Sequence, residues 1–365
     1  MLPWIGAVAA AGLILLGLTG AQAGGLLTRA APVLGFLVGA SVLAELADRA
    51  QVFDVAAYRA ARLAGGSVRR LYAAVVALAI GCTVLLGLDT TAVLLTPAVL
   101  SLCDQTRLRP WPFALAVVWL ANTASLLLPV SNLTNLLATQ RSGDSAVQYA
   151  VGVVRPAAVA VLVTVAVLVV LHGRELTGRY ARPGPVQVRD PLLLGIAAGC
   201  CTALAPLVLA GVPPWAAAAT GALVVAAASH RRGGLPTGLV PWRTATAVLL
   251  ALLVVAALGP PLLERLLPGG LEGDRQVAVV AAATANLVNN LPAYLLLEPL
   301  VPTTDSAALL VGVDLAPLVT PWASVATLLW AQRCRARGVP VPWPRFVLSG
   351  GLLVPLLLLA TVPVL

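Results

Sequence analysis

Apolar runs follow one another along the whole of this chain, many long enough to cross the roughly 30 Å of bilayer hydrocarbon at about 1.5 Å of helix rise per residue. No hydrophilic stretch between them has the length of a soluble domain. With 60% hydrophobic and 10% charged side chains among 365 residues, the polar surface that a water-soluble globule of this size needs is missing. Aromatic residues make up only 5%, and strands of alternating polarity are absent from the pattern, which argues against a barrel. The expectation is an all-α polytopic protein of the inner (plasma) membrane, with the lipid bilayer as its surroundings.

Hydropathy marks about twelve apolar segments on the usual length criterion, near 3 to 20, 30 to 47, 68 to 87, 88 to 103, 111 to 140, 153 to 172, 191 to 210, 213 to 229, 239 to 258, 276 to 298, 307 to 330 and 345 to 363. The first lacks a basic leader region and a cleavage site, so it is read as a retained span. The polar stretch HGRELTGRYARPGPVQVRD, 172 to 190, divides the segments six and six. This predicts a first transmembrane repeat over 1–171, a central linker over 172–190 and a second repeat over 191–365.

The formal charge of +9 does not point to nucleic acid, because no basic run carries interleaved aromatics. The basic residues, all arginine, sit between apolar segments and act as topology signals. The segment from Arg49 to Arg70 and the central linker are both arginine-rich, which puts both on the cytoplasmic side. Cys82, Cys103, Cys200, Cys201 and Cys334 show no metal-ligand spacing and read as small apolar packing residues. No metal and no cofactor is expected.

Against this background the stretch ANTASLLLPVSNLTN, Ala121 to Asn135, is anomalous. Three Asn, two Ser, two Thr and a Pro lie inside a segment otherwise suited to lipid. At an offset of 192 residues a second stretch, GVDLAPLVTPWASVAT, sets Asp314 at Asn122, Pro321 at Pro129, Ser324 at Asn132 and Thr327 at Asn135. Each copy is preceded by another polar interruption, LDTTAVLLTPAVL in the first half and TANLVNNLPAYLL in the second. Proline removes a backbone donor, and Ser, Thr and Asn compete for backbone groups. Irregular backbone cannot face lipid, so these breaks must face protein or a hydrated cavity. Paired interruptions in corresponding order are the mark of a transporter built from repeats, with a broken or re-entrant helix pair in each. An inverted relation between the halves requires an odd number of crossings in each, so at least one segment per half is expected not to cross fully.

The four stretches ANTASLLLPVSNLTNLL, LDTTAVLLTPAVL, ATANLVNNLPAYLL and GVDLAPLVTPWASVATLLW together resemble the arsenite permease family, within the ion transporter superfamily of inverted-repeat carriers. Ala323 stands where a glycine is common in that family. The resemblance implies efflux of arsenite, and of antimonite as its analogue, driven by protons and in some cases assisted by a separate soluble ATPase.

Arsenous acid is an uncharged triol at neutral pH, so amides, hydroxyls and backbone groups can replace its hydration without a buried counter-charge. The candidate substrate-binding residues are Asn122, Thr123, Ser125, Ser131, Asn132, Thr134 and Asn135 from the first half, with Asn286, Asn289, Asn290, Thr320, Ser324 and Thr327 from the second. The competing reading makes them interhelical glue or caps of broken helices. Proton coupling needs a group that changes charge near the site, and Asp314 and Asp89 are the candidates. Asp89 could instead sit in an exposed turn. Glu45, Glu298 and Asp305, near segment ends, are expected at the interface.

A sodium/proton antiporter, or a carboxylate or other anion carrier of the same superfamily, would use the same architecture. No Arg lies within the four motifs, which disfavours a carboxylate. An intramembrane enzyme is disfavoured because His172 and His230 flank loops and no HExxH, GxSxG or glycine-rich phosphate loop is present. A channel would need no titratable aspartate.

Overall fold

Four helices of this protein stop in mid-course and restart, and the remaining helices are arranged around those breaks. The computed structural model describes residues 20–232, 234–235, 238–266 and 269–365, with Gly12 and Gly17 besides. The first expected span, near 3 to 20, lies almost wholly outside the described residues. Among them the structure is helical, the one extended pairing being an isolated bridge between Ser67 and Arg179.

Helix α1 (Gly20–Arg49) leads into a short amphipathic α2 (Val52–Leu63), which buries Phe53, Val55, Ala57, Ala60 and Ala61. Helix α3 (Val68–Leu86) ends at Gly87, whose φ of 89° and ψ of 166° no helical residue adopts. The chain resumes at once as α4, over 88–106, with a widened π-helical turn at Thr91–Leu95. Pro97 supplies no N–H to the carbonyl four residues back, so the turn ahead of it is free to widen. Helix α5 (Pro110–Thr123) runs to the second break, two 3₁₀ turns at Ser125–Leu127 and Pro129–Ser131. Leu128, restricted by the following proline, is extended. Helix α6 (Leu133–Ser142) then starts from Asn132, and α7 (Ala146–His172) starts from a capping box in which Ser145 and Gln148 each satisfy the other's backbone N–H.

After the linker come α8 (Pro191–Leu209), α9 (Pro214–His230) and α10 (Trp242–Leu266). The pattern of breaks then recurs. Helix α11 (Asp274–Val288) ends at Asn289, with φ 101° and ψ 152°, and α12 (Asn290–Leu297) follows directly. Helix α13, over 306–315, closes on a π-helical turn at Val311–Leu315 ahead of Pro317, and the chain runs irregularly to Ser324. Helix α14 (Val325–Ala336) and α15 (Trp343–Thr361) complete the described chain. The starts of α6 and α14 have matching torsions, Asn132 at φ −151°, ψ 147° and Ser324 at φ −138°, ψ 137°. Those two residues are the pair that the 192-residue offset aligns.

Among the described residues, six helices are long and apolar enough to cross a membrane: Leu27–Arg49, Val68–Leu86, Pro110–Leu127, Ala146–His172, Pro191–Leu209 and Trp343–Val364. The expected segments 276 to 298 and 307 to 330 are not among them, because the breaks at Asn289 and before Ser324 cut each into shorter helices. Helix α5 is buried on every side from Pro112 to Thr123, while α7 and α15 expose Val151, Val170, Leu352 and Leu359 outward, as lipid-facing helices do. Close helix contacts depend on small residues. Gly39 of α1 lies against the backbone of Ala218 and Ala219 in α9, and Gly312 of α13 against Ala281 and Ala282 in α11.

The linker is extended and docked rather than free. Tyr180 donates from its hydroxyl to Ala61 O at 2.6 Å and from its backbone N–H to Gly66 O at 2.9 Å, while Gln51 meets the backbone of Gln187 and Arg189. The two arginine-rich segments therefore share one face. One expectation is corrected here. Glu298 is buried, not interfacial: it pairs with Arg29 of α1 and accepts from Tyr294 Oη at 3.0 Å, the pairing that a buried carboxylate requires.

Candidate functional site

The restarting ends of all four broken helices meet at one cavity of about 390 Å³. Leu88 and Asp89 come from α4, Asn132 and Leu133 from α6, Asn289, Asn290, Leu291 and Pro292 from α12, and Ser324 and Val325 from α14. The fifth contributing element is α10, with Arg243, Thr244, Ala247, Val248 and Ala251. Every broken helix points its N-terminal end at this space, where backbone N–H groups and the helix dipole favour electron-rich ligands. At α6 and α14 the residue before the helix makes no side-chain cap, so the first-turn N–H groups lack that partner, whereas at α12 the Leu291 N–H is taken by Asn290 Oδ1 at 2.9 Å. Ser324 Oγ is buried without a hydrogen bond.

The breaks are held in each half by the hinge that precedes them. At Gly87 a Cβ would lie 3.3 Å from the carbonyl oxygens of both Val130 and Ser131, so only glycine fits both the torsion and the approach. Ser131 Oγ donates to Val84 O at 3.0 Å and completes that contact. In the second half Asn290 N–H donates to Ala323 O at 2.9 Å and Asn289 Nδ2 to Trp322 O at 2.8 Å. Asn289 thus occupies a positive-φ conformation that costs a side-chain-bearing residue about 1–3 kcal/mol.

Of the candidate residues, Asp89, Asn132, Asn289, Asn290 and Ser324 line the cavity. The others stand behind it and hold the breaks. Asn135 donates to Ser125 O at 2.7 Å and Leu128 O at 2.9 Å, Ser125 Oγ to Asn122 O at 2.7 Å, Thr123 Oγ1 to Trp119 O at 3.0 Å and Asn122 Nδ2 to Val118 O at 2.9 Å. Asn286 employs its whole side chain: Nδ2 donates to Ala282 O and Ala316 O, and Oδ1 accepts from the N–H groups of Val319 and Thr320. Thr320 Oγ1 returns a bond to Asn286 O at 2.7 Å. Thr327 Oγ1 is buried without a partner.

Asp314 sits one side chain behind the cavity wall, in the π-helical turn of α13. Its Oδ1 accepts from Asn132 Nδ2 at 2.9 Å and Thr134 Oγ1 at 2.6 Å, and its Oδ2 is buried without a partner. These bonds join a carboxylate of the second half to donors of the first, through a residue that itself lines the cavity. Asp89 is not in an exposed turn: it stands in the first turn of α4, in the cavity wall, with no hydrogen bond to its carboxylate among the described residues. The sequence reading missed Arg243. It opens an apolar segment outside the four motifs, and nothing in its spacing ties it to them.

Comparison with known proteins accords with this geometry. The arsenical pump membrane protein of Escherichia coli K12 is 27% identical over 347 residues, covering 85% of this chain and 80% of that protein. Its counterpart in Yersinia enterocolitica is 25% identical over 350 residues with the same coverage, and an uncharacterised transporter of Mycobacterium tuberculosis is 25% identical over 356 residues, covering 87% and 81%. Among solved structures, the crystal structure of the Alcanivorax borkumensis YdaH transporter, described as having an unusual topology, matches with a TM-score of 0.54 at 17% identity over 93% of this chain and 85% of that one, a likeness of fold. The chain is a multi-pass membrane transporter rather than an enzyme, and the match of residues 1–327 to the citrate transporter family model makes it a member of that family.

Proposed function

We propose that this protein is a secondary carrier that exports arsenite, and antimonite as its analogue, in exchange for protons by alternating access. Two units, 1–171 and 191–365, act as an inverted repeat joined by the linker. The observation that carries this reading is the hydrogen-bonded link from the cavity through Asn132 to Asp314. Substrate hydroxyls accept from the first-turn N–H groups of α6 and α14 and meet Asn132, Asn290 and Ser324 Oγ. A proton on Oδ2 of Asp314 removes the buried charge while Oδ1 goes on accepting from Asn132 and Thr134. Substrate and proton thus compete through the orientation of one amide. Asp89, in the wall itself, is the second proton-carrying candidate. A soluble ATPase comes from the family resemblance alone, and the proton gradient suffices for this scheme.

A second reading, transport of a carboxylate or other anion, is favoured by Arg243 and by the converging helix ends, both suited to negative charge. Everted membrane vesicles separate the readings. Under an imposed proton gradient, arsenite accumulation that is independent of sodium and abolished by an uncoupler is expected. Citrate accumulation without arsenite accumulation would transfer the site to the second reading, and sodium-dependent dissipation of the proton gradient without either would assign it to sodium.

A further inference from the structure

Away from the cavity, a groove of about 700 Å³ opens at one end of α7 and α15. Its floor is apolar, with Leu115, Leu171, Leu348 and Leu352, and the last two are 70% and 65% exposed on the outward, lipid-facing side. Its rim is cationic and aromatic, with Arg109 and Arg345 beside Trp111. Arg345 opens α15 and has no ion pair among the described residues, whereas Arg109 meets Glu175 at 3.4 Å across an exposed contact. Glu175 lies outside the spans and is held below the usual carboxylate range by its bond to His172 and then by Arg109, so it stays ionised at neutral pH and offsets one of the two arginines. The rim therefore retains net positive charge over an apolar slot open to the bilayer.

We propose that this groove binds an anionic phospholipid, its phosphate held by Arg345 and Arg109, its glycerol at the level of Trp111 and its acyl chains along Leu348 and Leu352. Size, charge and depth agree. The volume falls within the about 300–1,000 Å³ of small-molecule pockets and suits a headgroup and glycerol with the acyl chains running out along the lipid-facing side, guanidinium groups match phosphate oxygens in pairs, and basic pockets between membrane helices recognise lipid headgroups. The site bears on transport through its back wall. Ser349 lines the groove, and the next residue, Gly350, packs directly on the Leu318 carbonyl within the break ahead of α14. A lipid in the groove braces α15 against the segment that must move.

The test uses the purified full chain in neutral detergent, titrated with phosphatidylglycerol, with phosphatidylcholine of the same acyl chains, and with inorganic phosphate alone, reading the thermal midpoint and the lipid retained in native mass spectrometry. Phosphatidylglycerol is expected to raise the midpoint and to be retained, with phosphatidylcholine and free phosphate far weaker. Arg345→Gln should weaken retention about tenfold, the loss of one charge-assisted contact, while Arg62→Gln, on α2 outside the groove, should not. Arg345→Gln breaks no ion pair seen here, so it stays informative if Arg109→Gln proves unstable. Equal retention of the two lipids, an unchanged Arg345→Gln, or an equal shift from inorganic phosphate alone would each overturn the proposal.

Discussion

The breaks ahead of α6 and of α14 end on residues of nearly the same torsion and are held in different ways. The first is stitched from within: Asn135 holds the carbonyls of Ser125 and Leu128, and all its partners lie within ten residues. The second is stapled from outside by Asn286, which reaches the backbone 30 to 34 residues further on, and is backed by α15 at Gly350. A break that restarts a helix at a matching torsion thus needs only that the freed peptide groups be satisfied, and either local or distant amides will serve. The first break is held mainly by its own amides, with single outside bonds from Ser131 Oγ to Val84 O and from Tyr149 Oη to Leu126 O. The second depends on two neighbouring helices, and is the easier to displace.

The largest effect should come from removing the staple. Asn286→Ala strands the N–H groups of Val319 and Thr320 in the second break and takes one of its two donors from the Ala316 carbonyl, at about 1–3 kcal/mol for each N–H that stays buried. Asn135→Ala strands one carbonyl, that of Ser125, since the Leu128 carbonyl keeps the Ser131 N–H. Thermal unfolding in detergent should therefore rank Asn286→Ala below Asn135→Ala, and the reverse order would break the comparison. Next, Gly350→Ala drives a methyl into the Leu318 carbonyl and should cost about 1–3 kcal/mol with loss of transport, whereas Gly351→Ala, with open space at its Cβ, should be close to neutral.

The hinges sharpen the contrast. Gly87→Asn should cost about 1–3 kcal/mol. Asn289→Gly removes strain of that size and gives up one hydrogen bond worth about 1 kcal/mol, so it should leave stability near the native value. The smallest expected effect is Ser145→Ala in the capping box of α7, about 1 kcal/mol and without influence on either break. A larger loss there would mean that α7 supports the first break more than its contacts indicate.

What was legible in the sequence follows the same division. Pro129, Pro321 and the polar residues around them announce both breaks, and the 192-residue offset falls on the two residues that start α6 and α14. Contacts spaced within a few turns, such as those of Asn135, can be inferred from composition because the donors sit beside the groups they free. Asn286 reads equally well as a ligand or as a staple, since its partners lie a helix away. Arg243 and Gly350 carry no local signal at all, because what makes them matter is the approach of another segment. Asp314 was legible as a carboxylate in a span, but its bonds to Asn132 and Thr134 depend on the two halves being brought together.

The central claim is that the cavity and Asp314 are coupled through Asn132. Its most direct test compares proteoliposomes of the native protein with those of Asp314→Asn, following both gradient-driven accumulation of radioactive arsenite and its exchange across the membrane without a gradient. Loss of accumulation with exchange retained is the expected result, since the substituted side chain still accepts at Oδ1 but carries no proton. Accumulation that persists in Asp314→Asn would contradict the coupling.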